Sequence, residues 1–232
     1  MKKHILVLSF LFISTYSFSQ ISELGISLAG SNYIGDVGST QYINPNDLAV
    51  GLVYKWNYNT RVVYRLDASY IRISADNANA KSQERKDFPF SFKNSVTELA
   101  VGIEYNYYDY SMTKEGWSST PYLILQLAIN TYNVVDKQTG IQTSTSTATF
   151  NTTNKVGFTI PFGIGYKTKI GNNIGIGFET KVRYTFADDL DYNNPEFEVL
   201  SFGNPNSDDW YVTTGITIVF GFGRKGCYSG EY

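Results

Sequence analysis

Residues 156–167 read VGFTIPFGIGYK, and side-chain size alternates along this stretch without a break. The odd-numbered positions carry glycine, threonine, proline and finally Lys167. The even-numbered positions carry the large apolar residues Val156, Phe158, Ile160, Phe162, Ile164 and Tyr166. A period of two that persists this long predicts a β-strand with one apolar face.

Seven other segments alternate in a similar way, which predicts eight strands in all. The clearest of them are residues 48–58, 98–107, 174–184 and 210–221. The connectors also alternate in length: the long ones are 32–47, 75–94, 134–154 and 187–208, and the short ones lie near 58–60, 111–119 and 169–173. A meander with long loops at one end and short turns at the other is typical of outer-membrane barrels. The sequence therefore predicts an all-β protein, an eight-stranded antiparallel transmembrane β-barrel with long extracellular loops and short periplasmic turns.

Alternation alone does not decide which face of the strands points outward, because a soluble lipocalin-like barrel would turn its apolar row inward. Two features of these rows of side chains indicate that the apolar row faces lipid on the outside of the barrel. The apolar row is uniformly large, whereas the other row mixes glycine with charge, as a narrow filled lumen requires. Aromatic residues such as Trp56, Tyr105 and Tyr166 also cluster at the short-connector ends, as in an interfacial girdle. We therefore expect an integral outer-membrane protein that contacts lipid through the apolar row.

With this orientation, the opposite row places charges of both signs in the lumen. Eight strands leave little more than room for side chains, so these charges are expected to pair as a structural plug. A proton or ion path through them is the alternative. The predicted cluster comprises Lys55, Arg65, Asp67, Glu98, Glu104, Glu179, Lys181 and Arg183, and Glu23 is also expected in the lumen.

The first residues are predicted to be a cleaved signal peptide, residues 1–19, with a basic start, an apolar stretch and a small-x-small site. Its removal would take away the only histidine, His4, and leave one cysteine, Cys227. An intrachain disulfide and Ser-His, Cys-His or histidine-metal chemistry are then excluded. The carboxylates between Asp188 and Asp209 lack the spacing of a calcium loop. We therefore expect no catalytic residue, cofactor or metal, and a formal charge of −2 without a basic patch gives no reason to expect nucleic acid.

The barrel is expected to span residues 20–222, and an even number of strands would leave both termini in the periplasm. Residues 223–232 then form a short tail containing Arg224, Lys225, Cys227 and Tyr228. A disordered terminus is one interpretation of the tail. The other is a partner-binding segment, in which the odd cysteine forms a disulfide with another protein in an oxidising compartment.

Six stretches in order along the chain resemble the PorG family, outer-membrane barrels of the type IX secretion system of Bacteroidota, which is also tied to gliding. They are residues 23–38 (ELGISLAGSNYIGDVG), 47–57 (DLAVGLVYKWN), 119–123 (STPYL), 159–168 (TIPFGIGYKT), 183–192 (RYTFADDLDY) and 206–228, which ends in GRKGCY. The resemblance implies a non-enzymatic component that anchors a periplasmic ring of a PorK-like lipoprotein and a PorN-like subunit to the outer membrane. It also implies that Arg224, Lys225, Cys227 and Tyr228 contact that ring.

A second hypothesis is a surface-exposed small barrel whose long loops bind a ligand or mediate adhesion. A membrane enzyme is a third hypothesis, but the mature chain offers no histidine as the activated base that such chemistry generally needs.

Overall fold

The computed structural model describes residues 21–113, 116–139, 149–171, 173–194, 200 and 208–223. A 3₁₀ turn at Asn77–Asn79 and one short helix, α1 (Gln83–Lys86), lie between the third and fourth strands. No helix in these ranges is long and apolar enough to cross a membrane. The strands are β1 (Ser22–Ile34), β2 (Asp47–Asn57), β3 (Val62–Asp76), β4 (Ser91–Asn106), β5 (Ser119–Thr139), β6 (Thr149–Ile170), β7 (Ile174–Thr185) and β8 (Trp210–Phe222).

Each strand pairs antiparallel with its neighbours in sequence, and β1 pairs with β8, so the sheet closes into an eight-stranded barrel as predicted. The stagger of the barrel is found by stepping from each residue to the residue directly opposed on the next strand. The path starts at Val156 of β6, passes to Thr131 of β5 and continues around the sheet. The path returns to β6 at Tyr166, ten residues from its start. In a barrel of eight strands this stagger corresponds to a strand tilt of roughly 40°.

The outer surface of the barrel is apolar. On β5, Leu125 and Leu127 are 54% and 67% exposed, whereas Gln126 between them is 1% exposed. On β6, the exposed row runs from Phe158 to Tyr166, which at ~3.3 Å per residue and this tilt covers roughly 20 Å of barrel height. A transmembrane barrel carries an apolar band of ~25 Å, so the exterior has the dimensions that a bilayer requires.

Aromatic rings lie at both borders of this band. We call the end of the barrel where β1 begins and β8 ends the floor, and the opposite end the mouth. Exposed Tyr105 and Tyr166 lie toward the floor. Toward the mouth, the rings of Tyr184 and Trp210 approach to 4.8 Å between centroids. The aromatic girdle predicted at one end is therefore matched by a second at the other.

The interior has an apolar cluster at each end and charged side chains between them. The mouth cluster contains Tyr33, Val37, Ala49, Ile71, Ile73, Phe92, Val96, Tyr132, Leu190 and Tyr211. The floor cluster contains Ile21, Tyr110, Met112 and Val219.

Two connectors differ from the prediction. The connection from β4 to β5 spans residues 107–118 and is as long as the connection 35–46 between β1 and β2, so it is not a short turn. It folds under the barrel because two of its side chains, Tyr110 and Met112, are buried in the floor cluster. Strands β5 and β6 also extend into the predicted loop 134–154, and only residues 140–148 lie between them. The predicted signal peptide and residues 224–232 of the predicted tail lie outside the described residues.

Candidate functional site

Arg65 of β3 lies at the centre of the lumen and contacts three carboxylates. Its Nη1 and Nη2 donate to Glu179 of β7 at 2.8 Å each, its Nε donates to Asp67 at 2.9 Å, and Nη1 also reaches Glu104 of β4 at 3.1 Å. The Arg65 side chain is fully buried. A guanidinium has five donors in a fixed plane, which suits it to bridge several carboxylates at once.

The other charges join the same network. Lys181 lies 2.8 Å from Asp67, and Lys55 lies 2.8 Å from Glu104. Closer to the mouth, Arg183 and Glu98 pair at 2.9 Å. The structure thus places all eight members of the sequence-predicted cluster in the interior, and every one of them has an ionic partner of opposite sign.

Sequence analysis missed two buried lysines, Lys167 and Lys169 of β6. Lys167 lies 2.5 Å from Glu104 and 4.4 Å from the centroid of the Tyr110 ring. The signal was present, because both lysines belong to the same odd-numbered row as Gly163 and Gly165. Parity along β6 assigns that row to the lumen.

Tyrosine hydroxyls complete the network. Tyr122 donates to Glu179 and Tyr211 donates to Glu98, each at 2.8 Å. An interior cavity of about 20 Å³, lined in part by Ser27, Lys181 and Thr217, has room for about one water. The charged layer is therefore packed with side chains in the part of the chain that the structure describes.

The floor is closed by the connection 107–118. The Tyr110 amide donates to the carbonyl of Thr60 at 3.1 Å, which fixes the segment against the β2–β3 turn. The Tyr110 hydroxyl lies 3.2 Å from the sulfur of Met112, and both side chains are buried. Burial, and then the charge of Glu23, raise the pKa of the Tyr110 hydroxyl, so it stays neutral.

The mouth is closed by the first part of the β7–β8 connection, residues 187–194, which we call the lid. Leu190 of the lid has no exposed surface, and its carbonyl accepts from Nδ2 of Asn94 at 2.9 Å. Tyr192 donates to the carbonyl of Lys93 at 3.0 Å, and Asn194 donates to that of Val135 at 3.1 Å. The lid therefore bridges β4 and β5, where these strands no longer pair with each other.

Two aspartates, Asp191 of the lid and Asp209 just before β8, secure the lid. The hydroxyl of Tyr33 lies within hydrogen-bond distance of both Asp209 and Asp191, at 3.0 Å from the latter. The second oxygen of Asp209 accepts from the Leu190 amide at 3.1 Å. Burial, and then the charge of Asp191, raise the pKa of Asp209 to about 9. Burial likewise raises the pKa values of Asp191 and Asp188 to about 6.

These carboxylates do not form a metal site in the described part of the chain. No group of three or more acidic, histidine or cysteine side chains in that part is arranged to hold an ion. The predicted partner-binding residues Arg224, Lys225, Cys227 and Tyr228 lie outside the described residues.

A family model with the description "Domain of unknown function (DUF6089)" matches residues 2–231. No curated protein matches the chain.

Solved structures of small outer-membrane barrels are similar to the chain at low identity. Ail of Yersinia pestis, solved with the heparin analogue sucrose octasulfate, is 11% identical, with a TM-score of 0.47 over 88% of this chain and 100% of that one. Neisserial surface protein A is 12% identical, with a TM-score of 0.45 over 87% and 97% of the two chains. A major outer membrane protein from Thermus thermophilus is also 12% identical, with a TM-score of 0.48 over 87% and 99%. These similarities are too distant to add to what the geometry of the barrel itself establishes.

Proposed function

The chain belongs to the DUF6089 family, and we propose that this member is a non-enzymatic, non-conducting integral protein of the outer membrane with a role in assembly. The observation that carries the proposal is the contrast between an apolar exterior and a charged interior sealed at both ends.

The exterior supports membrane insertion. Side chains such as Leu99, Val101 and Ile103 are close to half exposed or more on the outside of a closed sheet. Monomeric soluble proteins rarely leave contiguous apolar patches larger than a few hundred Å² in water. In a bilayer the same surface is stabilised, and the closed ladder pairs the strand backbones as a membrane-spanning sheet must.

The interior supports an anchoring role over transport or catalysis. The Arg65 layer blocks the lumen between the floor and the lid. The buried carboxylates accept charge-assisted hydrogen bonds, as Glu104 does from Lys55 and Lys167. Both oxygens of Glu104 are occupied by cations, so this carboxylate is not free to act on a substrate.

The finer proposal is that the protein anchors the periplasmic ring of a type IX secretion system to the outer membrane. It rests on the sequence resemblance to the PorG family. Ser22 and Phe222 are directly opposed where the barrel begins and ends, so the predicted tail leaves from the floor. The exposed part of the connection 107–118, with Trp117 76% exposed, lies at the same end. The tail and this connection would together form one docking face for a PorK-like lipoprotein and a PorN-like subunit.

The test is a pull-down of the tagged full-length protein from detergent-solubilised membranes. We expect co-purification of a ring lipoprotein with the unmodified chain and its loss when residues 224–232 are deleted. Deletion of residues 140–148 at the opposite end is the matched control and should leave the partner bound. Recovery of the barrel alone from native membranes would contradict the anchoring role. A higher-mass band in non-reducing electrophoresis that disappears in Cys227→Ser would identify the tail cysteine as the covalent contact.

A second candidate function is ligand binding or adhesion by the mouth. It is favoured by the β5–β6 hairpin, which stays paired as far as Thr139 and Thr149, well beyond the last pairs with β4 and β7 at Thr131 and Thr159. Deleting residues 140–148 separates the two functions, because lost surface binding with intact secretion would favour this candidate.

A further inference from the structure

The lid is held by three side chains, Tyr33, Asp191 and Asp209, whose oxygen atoms make more close contacts than the single tyrosine hydrogen can turn into hydrogen bonds. The Tyr33 hydroxyl lies within hydrogen-bond distance of one oxygen of Asp209 and one of Asp191. A hydroxyl carries a single hydrogen, so it can donate to only one of the two. The other contact is a hydrogen bond only if that carboxyl group is protonated and donates to the tyrosine oxygen.

The remaining oxygens of the two carboxyl groups point to the lid backbone. The Leu190 amide donates to Asp209, and the Asn193 amide donates to Asp191 at 3.0 Å. Asp209 precedes β8, whereas Leu190, Asp191 and Asn193 belong to the lid. The three side chains therefore clamp the lid onto the first and last strands of the barrel.

No cation among the described residues around the lid is placed to replace the missing proton. Asp36 after β1 and Asp188 of the lid act on the clamp carboxylates, and both are acidic. Asp189 of the lid and Asp208 before β8 adjoin the clamp in sequence, and Lys93 of β4 is exposed. Lys155 of β6 pairs with Asp189 at 2.5 Å. Arg85 of α1 donates to the carbonyls of Gly35 and Gly38 at 3.0 Å each. The local balance is acidic, and a second negative charge on the clamp would face burial as well as repulsion.

We propose that residues 187–194 are a proton-latched lid, held over the mouth by one proton shared among Tyr33, Asp191 and Asp209, and released when that proton is lost at alkaline pH. Loss of the proton leaves two buried anions beside one hydroxyl. Leu190 then withdraws from the mouth cluster, and the charged layer below becomes accessible to water.

The direction of the pH dependence follows from the raised pKa of Asp209. In the open lid this carboxyl group is hydrated and ionises near its ordinary value of ~3.9. Closing the lid above that pH therefore takes up a proton. The closed lid is most favoured in acid, and its closing equilibrium falls by up to about tenfold per pH unit until the pH passes the raised value.

Hydrogen exchange of the full chain in detergent micelles, followed by mass spectrometry from pH 6 to 10, tests the latch. After correction for base-catalysed exchange, we expect the protection of lid peptides to fall by at least about tenfold across this range, while β5 stays protected. Asp209→Asn supplies a permanent donor and should remove the fall. Asp191→Asn should do the same, so the test survives if one variant does not fold.

Asp208→Asn is the matched control, because Asp208 adjoins the clamp in sequence but accepts from Tyr184 instead. It should keep the full pH dependence. Tyr33→Phe removes the shared hydroxyl and should lower protection at every pH. A lid whose protection does not change with pH in the unmodified chain would overturn the proposal, and so would an unchanged fall in both asparagine variants.

Discussion

Arg65 of β3 and Glu179 of β7 face each other across the lumen as a bidentate pair, with both guanidinium Nη atoms 2.8 Å from the two carboxylate oxygens. The two residues are 114 positions apart in sequence. This pair joins opposite walls of the barrel, whereas the strand ladder joins only neighbours.

Replacing Arg65 with methionine should destabilise the barrel strongly. The change leaves Glu179, Asp67 and Glu104 with less positive charge in a buried region, and removing one partner of a buried ion pair costs about 3–5 kcal/mol. Urea unfolding of the protein refolded into detergent measures the effect. The matched control is Arg61→Met at the exposed Arg61–Asp109 pair, also at 2.8 Å, where no measurable change is expected. Equal effects at both sites would show that the lumen pair contributes no more than a surface pair.

Leu125 and Gln126 are neighbours in β5 with opposite environments, so they should respond in opposite ways. Leu125→Arg places a charge in the apolar band and should cost about 2–4 kcal/mol in a bilayer. Gln126→Leu removes a buried amide whose nitrogen and oxygen lack hydrogen-bond partners among the described residues, and should be neutral or stabilising. Unfolding in liposomes distinguishes them. A large loss in the Gln126 variant with tolerance of Leu125→Arg would reverse the assignment of inside and outside.

Gly215 lies at the seam where β8 meets β1, and a larger residue there should prevent closure. A Cβ at this position would lie 2.2 Å from the carbonyl oxygen of Leu28, a backbone atom that cannot rotate away. Gly215→Val should therefore cost at least ~1–3 kcal/mol and weaken the folded band in heat-modifiability gels. Thr214→Val on the outer face is the control and should retain a strong folded band. Normal folding of both variants would exclude a tight seam.

The protein should not conduct ions in planar lipid bilayers. The double variant Tyr110→Ala/Met112→Ala opens the floor but leaves the Arg65 layer in place, so it should also remain closed. Single-channel recording checks both. Step-like currents from the unmodified chain would contradict the sealed lumen, and currents only in the double variant would identify the floor as the sole barrier.

The rows and the lumen were predictable from sequence because they depend on parity alone. Period-two alternation holds over the central part of the strands, so the side of Arg65, Glu104 or Lys181 follows from its position in its strand. It breaks toward the mouth, where three consecutive residues of β1, 31–33, are all buried. The connection 107–118 has no such periodicity. The burial of Tyr110 and Met112 depends on Ile21 and Val219, which are distant in sequence, and no local signal reports that contact.

The clamp was beyond prediction for a related reason. Asp188, Asp191 and Asp209 resemble ordinary turn residues in the sequence. Their significance comes from Tyr33, which is 176 positions from Asp209 and approaches it only because β1 pairs with β8. Sequence patterns identify the carboxylates, but they do not identify the Tyr33 hydroxyl that contacts two of them.

The reach of Arg65 across the lumen also constrains how the protein can be assembled. Its carboxylate partners come from β3, β4 and β7, so a sheet made only of the first strands would lack the bidentate Glu179 partner of the guanidinium and would expose an open edge. Such a half-built sheet has no stable place among acyl chains. Insertion and closure are therefore coupled into one cooperative event, which is complete only when β8 pairs with β1.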